Sequence, residues 1–552
     1  MNSLVVAAVG LAGLWLGYRY YGSLMERLWG ADPSRRTPAH EREDGVDYVP
    51  ARHWTVLFGH HFASIAGAGP IIGPVIACAI WGWLPAVVWI VLGSVFIGAV
   101  HDFASLMLSL RQKGRSISDV AESVMGYRSK IILASFLWIS LTLVIAVFAA
   151  VGAKTLEQKP EVAAPTFGLI LVAVLVGLMM YRWRVNQIAA TLVGIGLLFG
   201  LILLGHRFPV SLGADSAGTW TVILLVYSYA ASVLPVHILL QPRDYLATFI
   251  LFFGLFSGYL GLLLSHPVMQ APAFIAPRMS EMPMWPMMFV IVACGAVSGF
   301  HCLISGGTTS KQLGSEAHAK RIGFGAMILE GALAILALLC VSAGLYWVCG
   351  GGECGGLVYP ELMKEKGWIV AFGVGFSRIT EPIFGEYGAL IAITVLNAFV
   401  ITTLDTATRV GRYITEELFA EGLGWGGMRN RFLSTAILMI PVAYLSLGAW
   451  RNIWPMFGAS NQLVAALALI VASVSLLAKG KPTKYTLYPA LLMLITTLAA
   501  LVYQVFEFFP QGKYLLGSVG IVLLLLALFM MSEAWSAVRR LRESRGSRQA
   551  SA

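Results

Sequence analysis

The chain reads as an all-α polytopic membrane protein, on three observations. Hydrophobic residues fill 58% of its 552 positions and charged residues only 12%, against about 25% charged in an ordinary soluble domain. Apolar runs long enough to cross a bilayer as helices recur from one end to the other. Two of these runs are interrupted by glycine, proline and polar side chains, one of them "GHHFASIAGAGPIIGP" at 59–74. The polar stretches between runs are too short to fold as domains of their own.

About 15 transmembrane helices are expected, over 3–25, 54–80, 84–110, 130–152, 167–182, 187–206, 219–239, 246–265, 287–307, 322–349, 384–409, 432–448, 455–478, 487–508 and 514–536. Met1 to Leu16 carry no basic residue, so the segment lacks the charged start of a cleaved signal peptide and reads as a first helix. With the N-terminus outside, 28 of the 38 Lys and Arg residues fall in cytoplasmic segments and nine outside. That asymmetry is the orientation signal of membrane proteins. The formal charge of +10 and pI near 9.3 are thus a cytoplasmic-face bias rather than a nucleic-acid patch. Between 350 and 383, "GWIVAFGVGFSRI" is expected to be a re-entrant or interfacial piece. Cys78, Cys294, Cys302 and Cys340 lie in apolar segments and read as packing residues. Cys349 and Cys354, in an expected outside loop, are either bonded in an oxidising compartment or two free thiols.

The two interrupted runs carry the functional argument. In lipid every backbone N–H and C=O needs a partner, so a broken helix survives only where protein or water covers it. Pro70 and Pro74 each remove a donor, and Gly67, Gly69 and Gly73 let the chain leave helical geometry. A second break is expected in "CGAVSGFHCLISGGTTSKQL", at 294–313. On the charge map the two broken spans run in opposite directions, and each opens a set of seven. The expected organisation is an extra N-terminal helix and loop (1–52), a first repeat (53–266), an inverted second repeat (285–538) and a basic cytoplasmic tail (539–552). Paired discontinuous helices in antiparallel halves point to the binding site of a secondary transporter. A competing reading makes Gly69 and Gly73 a small-residue packing face. "GGTTSK" lacks the Gly-Lys pair of a phosphate loop, and the adjacent His60 and His61 lack the i, i+4 spacing of a zinc site.

Ionisable groups at membrane depth are costly and mark pathways or pairs. Asp102 and Asp405 stand within spans, and Arg409 follows Asp405 at i+4, where an intrahelical pair is the structural reading. His60, His61, His101, His237 and His301 fall within or at the edge of spans, and histidine titrates near neutral pH. His61 and His301 flank the breaks and are favoured. Glu330 and Glu386 are expected near interfaces. Asn461 and Gln462 are expected to serve as interhelical glue or line the cavity.

In order along the chain, "YVPARHWTVLFGHHFASIAGAGPIIGP", "HDF", "GRSISD", "VLPVHILLQPRDYLATF", "CGAVSGFHCLISGGTTSK", "ITTLDTATRVGRYITEEL" and "NIWPMFGASNQLVAALAL" resemble the carbon starvation protein A (CstA) family. The sequence departs from the family pattern at His237, where "LPVWLLL" has Trp, and in a shorter 350–383 region. The resemblance implies a multi-pass protein of the bacterial inner (plasma) membrane, distantly similar to the amino acid–polyamine–cation superfamily with its LeuT-like inverted-repeat core. It also implies uptake of peptides, or of pyruvate with protons, when carbon is scarce.

The function expected is symport of a small carboxylate such as pyruvate with protons, with a peptide as the competing substrate. A passive channel, a non-transporting sensor and a membrane-embedded enzyme are the readings from other classes. An enzyme would need a clustered catalytic set, and none stands out in the sequence. The expected substrate-binding residues are Gly67, Ala68, Gly69, His301, Ser305, Gly306, Thr308 and Asn461. The substrate carboxylate is expected to rest on backbone amides near Gly67–Gly69 and in the Ser305–Thr308 region, while His61, Asp102 or Asp405 carries the proton. No cofactor or nucleic-acid partner is expected; sodium remains open as coupling ion because Ser, Thr and carbonyl oxygens near the breaks are suitable ligands. No feature speaks to an oligomeric state.

Overall fold

A computed structural model describes residues 1–213, 215–236, 239–276, 282–349, 356–448 and 450–550. His237 and Cys354 lie outside the described residues. In chain order the main helices are α1 (Ser3–Trp29), α2 (Trp54–Ile65), α3 (Gly69–Trp81), α4 (Trp83–Arg111), α5 (Ile117–Met125), α6 (Tyr127–Gln158), α7 (Pro160–Met180), α8 (Gln187–Arg207), α9 (Ala217–Val233) and α10 (Leu240–Ser265). They continue as α11 (Met284–Ile291), α12 (Phe300–Gly307), α13 (Glu316–Gly344), α14 (Tyr359–Phe384), α15 (Gly388–Thr415), α16 (Arg431–Gly448), α17 (Trp450–Ala478), α18 (Lys484–Phe508) and α19 (Tyr514–Ala550). Among the described residues, twelve helical runs are long and apolar enough to cross a membrane, and α2 with α3 makes a further span bent by 42°.

The described part of the 350–383 region, expected to be a re-entrant or interfacial piece, is helical. It contains α14, a 26-residue helix interrupted at Gly367, whose φ of 81° suits glycine alone. Charged residues crowd its start and hide the apolar run that follows. The expected cytoplasmic loop at 240–245 differs: it is the buried first turn of α10, with Arg243 1% and Asp244 0% exposed. Cys78, Cys294, Cys302 and Cys340 are buried free thiols, and Cys349 is disulfide-bonded.

Helices α6, α9, α15 and α16 each pack against the other three. Against this scaffold lies a second group: the broken pairs α2–α3 and α11–α12, with α4 and α13. Helix α10 joins the two groups by packing on both α2 and α15.

At both breaks, neighbouring helices supply partners for freed backbone groups. Helix α2 stops where Ala66 turns out of helical geometry, at ψ 54°. The carbonyls this frees are met from the scaffold: Thr402 donates to Ala63 O at 2.9 Å and Thr403 to Ser64 O at 3.0 Å. Helix α3 restarts with Pro70 in its first turn, where a missing N–H costs nothing. At the second break Asn461, on α17, accepts from the Phe300 amide at 2.8 Å through its side chain and from the Gly299 amide at 3.0 Å through its carbonyl. Broken-helix and packing readings of the glycines both hold. A Cβ on Gly69 would lie 2.5 Å from Cys294 Sγ, and one on Gly73 2.5 Å from Ile291 O, so the two breaks close on each other.

Gly299 is the tightest of these contacts. A Cβ there would fall 2.0 Å from Asn461 O and 2.6 Å from the Ala465 amide, both backbone atoms. Gly299→Ala must displace α17, and overpacking of this kind costs about 1–3 kcal/mol. A lower unfolding midpoint in detergent is expected; an unchanged midpoint would contradict this packing.

Candidate functional site

Eight ionisable side chains, each at most 1% exposed, form a ladder through the middle of the molecule. It begins on α13 at Glu330, whose Oε2 lies 3.0 Å from His301 Nε2 on α12, though not in hydrogen-bond alignment. His301 Nδ1 lies 3.5 Å from Asp102 Oδ2 on α4. The same oxygen takes His61 Nε2 of α2 at 3.0 Å, while Ser305 donates to Asp102 Oδ1. Beside His61, His60 Nδ1 pairs with Asp244 Oδ2 at 2.6 Å. Arg243 then binds Asp244 Oδ1 through Nη2 at 2.6 Å and both carboxylate oxygens of Asp405. Tyr227 donates to Asp405 Oδ2 at 2.8 Å.

The helices impose this arrangement. His60 and His61 are adjacent on α2 and point about 100° apart, so one turns toward α10 and the other toward α4. His301 and Ser305, at i and i+4 of α12, share a face and both reach Asp102. Burying charges in low dielectric is tolerated only when they are paired and close to neutral in sum. Asp102, Asp244, Glu330 and Asp405 carry four negative charges when ionised, and Arg243 cancels one. The remaining three match the three imidazoles when protonated. The ladder can therefore hold mobile protons, and it feels any further charge brought beside it.

The opposite face of α12 lines a cavity of about 450 Å³. Cys302, Leu303, Gly306 and Gly307 form its floor, and Tyr48, Arg115, Lys311, Tyr413 and Glu417 stand around it. One eight-residue helix thus separates the ladder from the cavity. Helical spacing divides it: 301 and 305 face the buried ionisable side chains, 302, 303, 306 and 307 the open space.

Several expected site residues are placed otherwise by the structure. His301 and Ser305 are brought together with Asp102 and His61, so they belong to the ladder rather than to an open binding pocket. Thr308 meets His60 Nε2 at 3.1 Å, and its amide donates to Ile304 O at 3.0 Å. The amides of Ser305–Thr308 are committed to helical bonds and are not free for a carboxylate. Asn461 caps the second break. At Gly67 a Cβ would lie 2.7 Å from Phe148, and Ala68 is buried, so Gly67–Gly69 are packed closely in this conformation. Gly306 does line the cavity. Asp405 does not pair with Arg409, because Arg243 occupies it and Arg409 reaches out to Asp47 at 2.8 Å. Glu330 is not near an interface but 0% exposed within α13, whereas Glu386 is exposed in the turn before α15. His101 is buried, with no hydrogen bond to either ring nitrogen among the described residues. Gln462 donates to Phe289 O at 2.5 Å, which makes it glue between α17 and α11.

Sequence reasoning missed Arg243, Asp244 and Glu330 as site residues. The available signals were an Arg-Asp pair opening an apolar helix and a single glutamate far from both ends of another.

A family model described as "Carbon starvation protein CstA" matches residues 2–348 and 358–500. The chain belongs to the CstA family. A peptide transporter CstA of Campylobacter jejuni is 32% identical over 90% of this chain and 79% of its own. A pyruvate/proton symporter, BtsT of Escherichia coli, is 31% identical over 92% of this chain and 82% of its own. The fold is also that of a manganese transporter of Eremococcus coleocola, superimposed with a TM-score of 0.53 over 90% of this chain and 99% of that one at 14% identity. This CstA-family member is a multi-pass membrane transporter with a LeuT-like core containing two discontinuous helices.

Proposed function

We propose that this CstA-family transporter carries a small carboxylate, pyruvate foremost, across the bacterial inner membrane together with protons. The observation that supports this best is the buried ladder Glu330–His301–Asp102–His61, which links both broken helices and lies behind the cavity. A carboxylate entering the cavity brings one negative charge toward a network that is neutral only with its imidazoles protonated. One more proton on the ladder offsets that charge, so anion and proton load together. In this mechanism Asp102, held between two imidazoles, accepts and passes the proton. Asp405 is clamped by Arg243 and serves instead as an anchor. The second group of helices rocks against the scaffold to alternate access, as in transporters of this architecture. The Lys and Arg distribution supports an orientation with the N-terminus outside, the C-terminus inside and the cavity's mouth toward the cytoplasm.

One observation favours the peptide reading. A cavity of about 450 Å³ with acidic and basic side chains around it is roomier than a three-carbon acid needs and could seat a zwitterion. The test is uptake of radiolabelled pyruvate into proteoliposomes under an inward proton gradient, with and without protonophore, with dialanine and an imposed sodium gradient as parallel arms. Protonophore-sensitive pyruvate accumulation is expected. Accumulation of dialanine alone would move the substrate to peptides, and dependence on sodium alone would overturn proton coupling.

A further inference from the structure

The Thr309–Lys311 turn directly follows α12. It is pinned to the ladder on one side: His61 Nδ1 meets Thr309 Oγ1 at 2.8 Å, and His60 Nε2 meets Thr308 Oγ1 at 3.1 Å. On the other side it puts Lys311 into the cavity. The ammonium rests 3.8 Å from the centre of the Tyr413 ring and 5.3 Å from that of Tyr48. Among the described residues no carboxylate lies within 4.0 Å of it.

That lack is specific, because the carboxylates whose charge Lys311 feels are already held elsewhere. Asp47 is gripped by Arg409 at 2.8 Å and Arg412 at 3.0 Å. Burial alone would raise the Asp47 carboxyl, but Arg412, Arg409 and Lys311 hold it at about 2, so it stays ionised and paired. Glu417 accepts from Ser116 at 2.8 Å and Ser118 at 2.5 Å. Glu416 accepts from Ser434 at 3.0 Å. Lys130, a buried cation that also lines the cavity, is shared by Asp119, Glu122 and Glu421. Arg42 and Arg115 stand exposed at the rim, where they draw anions inward.

We infer that Lys311 is the specificity-determining cation that receives the substrate's carboxylate in the cavity, and that its turn links this site to the proton ladder through Thr308 and Thr309. The inference rests on the carboxylate-transport reading above and deepens it. An anion drawn to Lys311 pulls on the same short turn that His60 and His61 hold. Loading of the cavity and protonation of the ladder therefore act on one element.

The experiment compares wild type, Lys311→Gln and Lys311→Arg in proteoliposomes. It measures KM and maximal rate for pyruvate and dialanine, and inhibition by their carboxamides, pyruvamide and dialanine amide, which lack the carboxylate charge. A charge-assisted hydrogen bond corresponds to about a tenfold or greater change in affinity. K311Q is expected to raise KM about tenfold or more with maximal rate retained, and to abolish the preference for acid over amide. K311R is expected to keep part of that preference, which also serves if K311Q folds poorly. A wild-type acid-to-amide ratio in K311Q, or a preference lost completely in the charge-retaining K311R, would overturn the role of Lys311 while leaving the transporter reading intact. Failure of wild type to take up either substrate would overturn the carboxylate reading, and this inference with it.

Discussion

Asp102→Asn is expected to abolish proton-driven accumulation while leaving substrate exchange across the membrane within several-fold of wild type. Asp102 is the central rung of the ladder, with His61, His301 and Ser305 all converging on its two oxygens. Asparagine keeps the shape of the side chain and can still fill the space. It cannot take up or release a proton, and its amide group faces ring nitrogens that themselves need an acceptor. Accumulation against a gradient requires that the reoriented carrier release a proton, whereas exchange requires only that the loaded carrier reorient. The measurement is radiolabelled uptake under an imposed proton gradient beside counterflow at equal pH. Wild-type, protonophore-sensitive accumulation in D102N would remove Asp102 from the coupling path and shift attention to Glu330 and His301.

The largest effect on stability is expected at Arg243. Its guanidinium bridges Asp244 and Asp405 and contacts the Tyr227 hydroxyl, joining α10 to α15 and α9. Arg243→Gln leaves two buried carboxylates without their cation. Breaking a buried pair in this way costs about 3–5 kcal/mol. Against a typical total of roughly 5–15 kcal/mol, that removes a large share of the stability. Arg243→Lys is expected to rescue little, because a point charge cannot match two carboxylates as the planar fork does. Adding Asp405→Asn to R243Q is expected to recover part of the loss by removing one orphaned charge, a coupling that a double-mutant cycle reads directly. Thermal unfolding in detergent checks the series. A midpoint for R243Q equal to wild type would show that the ladder's lower half is not held by this residue.

The two positions separate roles that look alike in the sequence. Asp102 and Asp405 are both single aspartates in apolar helices, yet one faces two titratable rings and the other a permanent cation. The i+4 spacing of Asp405 and Arg409 pointed to an intrahelical pair. Arg409 instead turns to Asp47, in a loop more than 350 positions away in the chain, and donates to the Ala231 carbonyl on α9. Spacing along one helix restricts which side chains can meet, but the deeper choice is made by whichever neighbouring element presents the better partner.

Composition alone determined that this chain lives in a bilayer, because no soluble core can bury so much apolar surface with so few charges. Proline and glycine at 67–74 and glycine at 295–307 determined where two helices must break, since backbone donors and torsions are local properties. The ordered motifs determined the family. Tertiary structure alone decided that Glu330 and His301 meet, that Arg243 and Asp244 are buried, and that Asn461 closes a break rather than lining a pocket. It also decided that the two faces of α12 look onto a ladder of buried ionisable side chains and a cavity. These facts depend on contacts between residues from 29 positions apart, for His301 and Glu330, to 184 apart, for His60 and Asp244, set by how α4, α10, α13 and α15 pack around the breaks, and no local pattern in the chain encodes them.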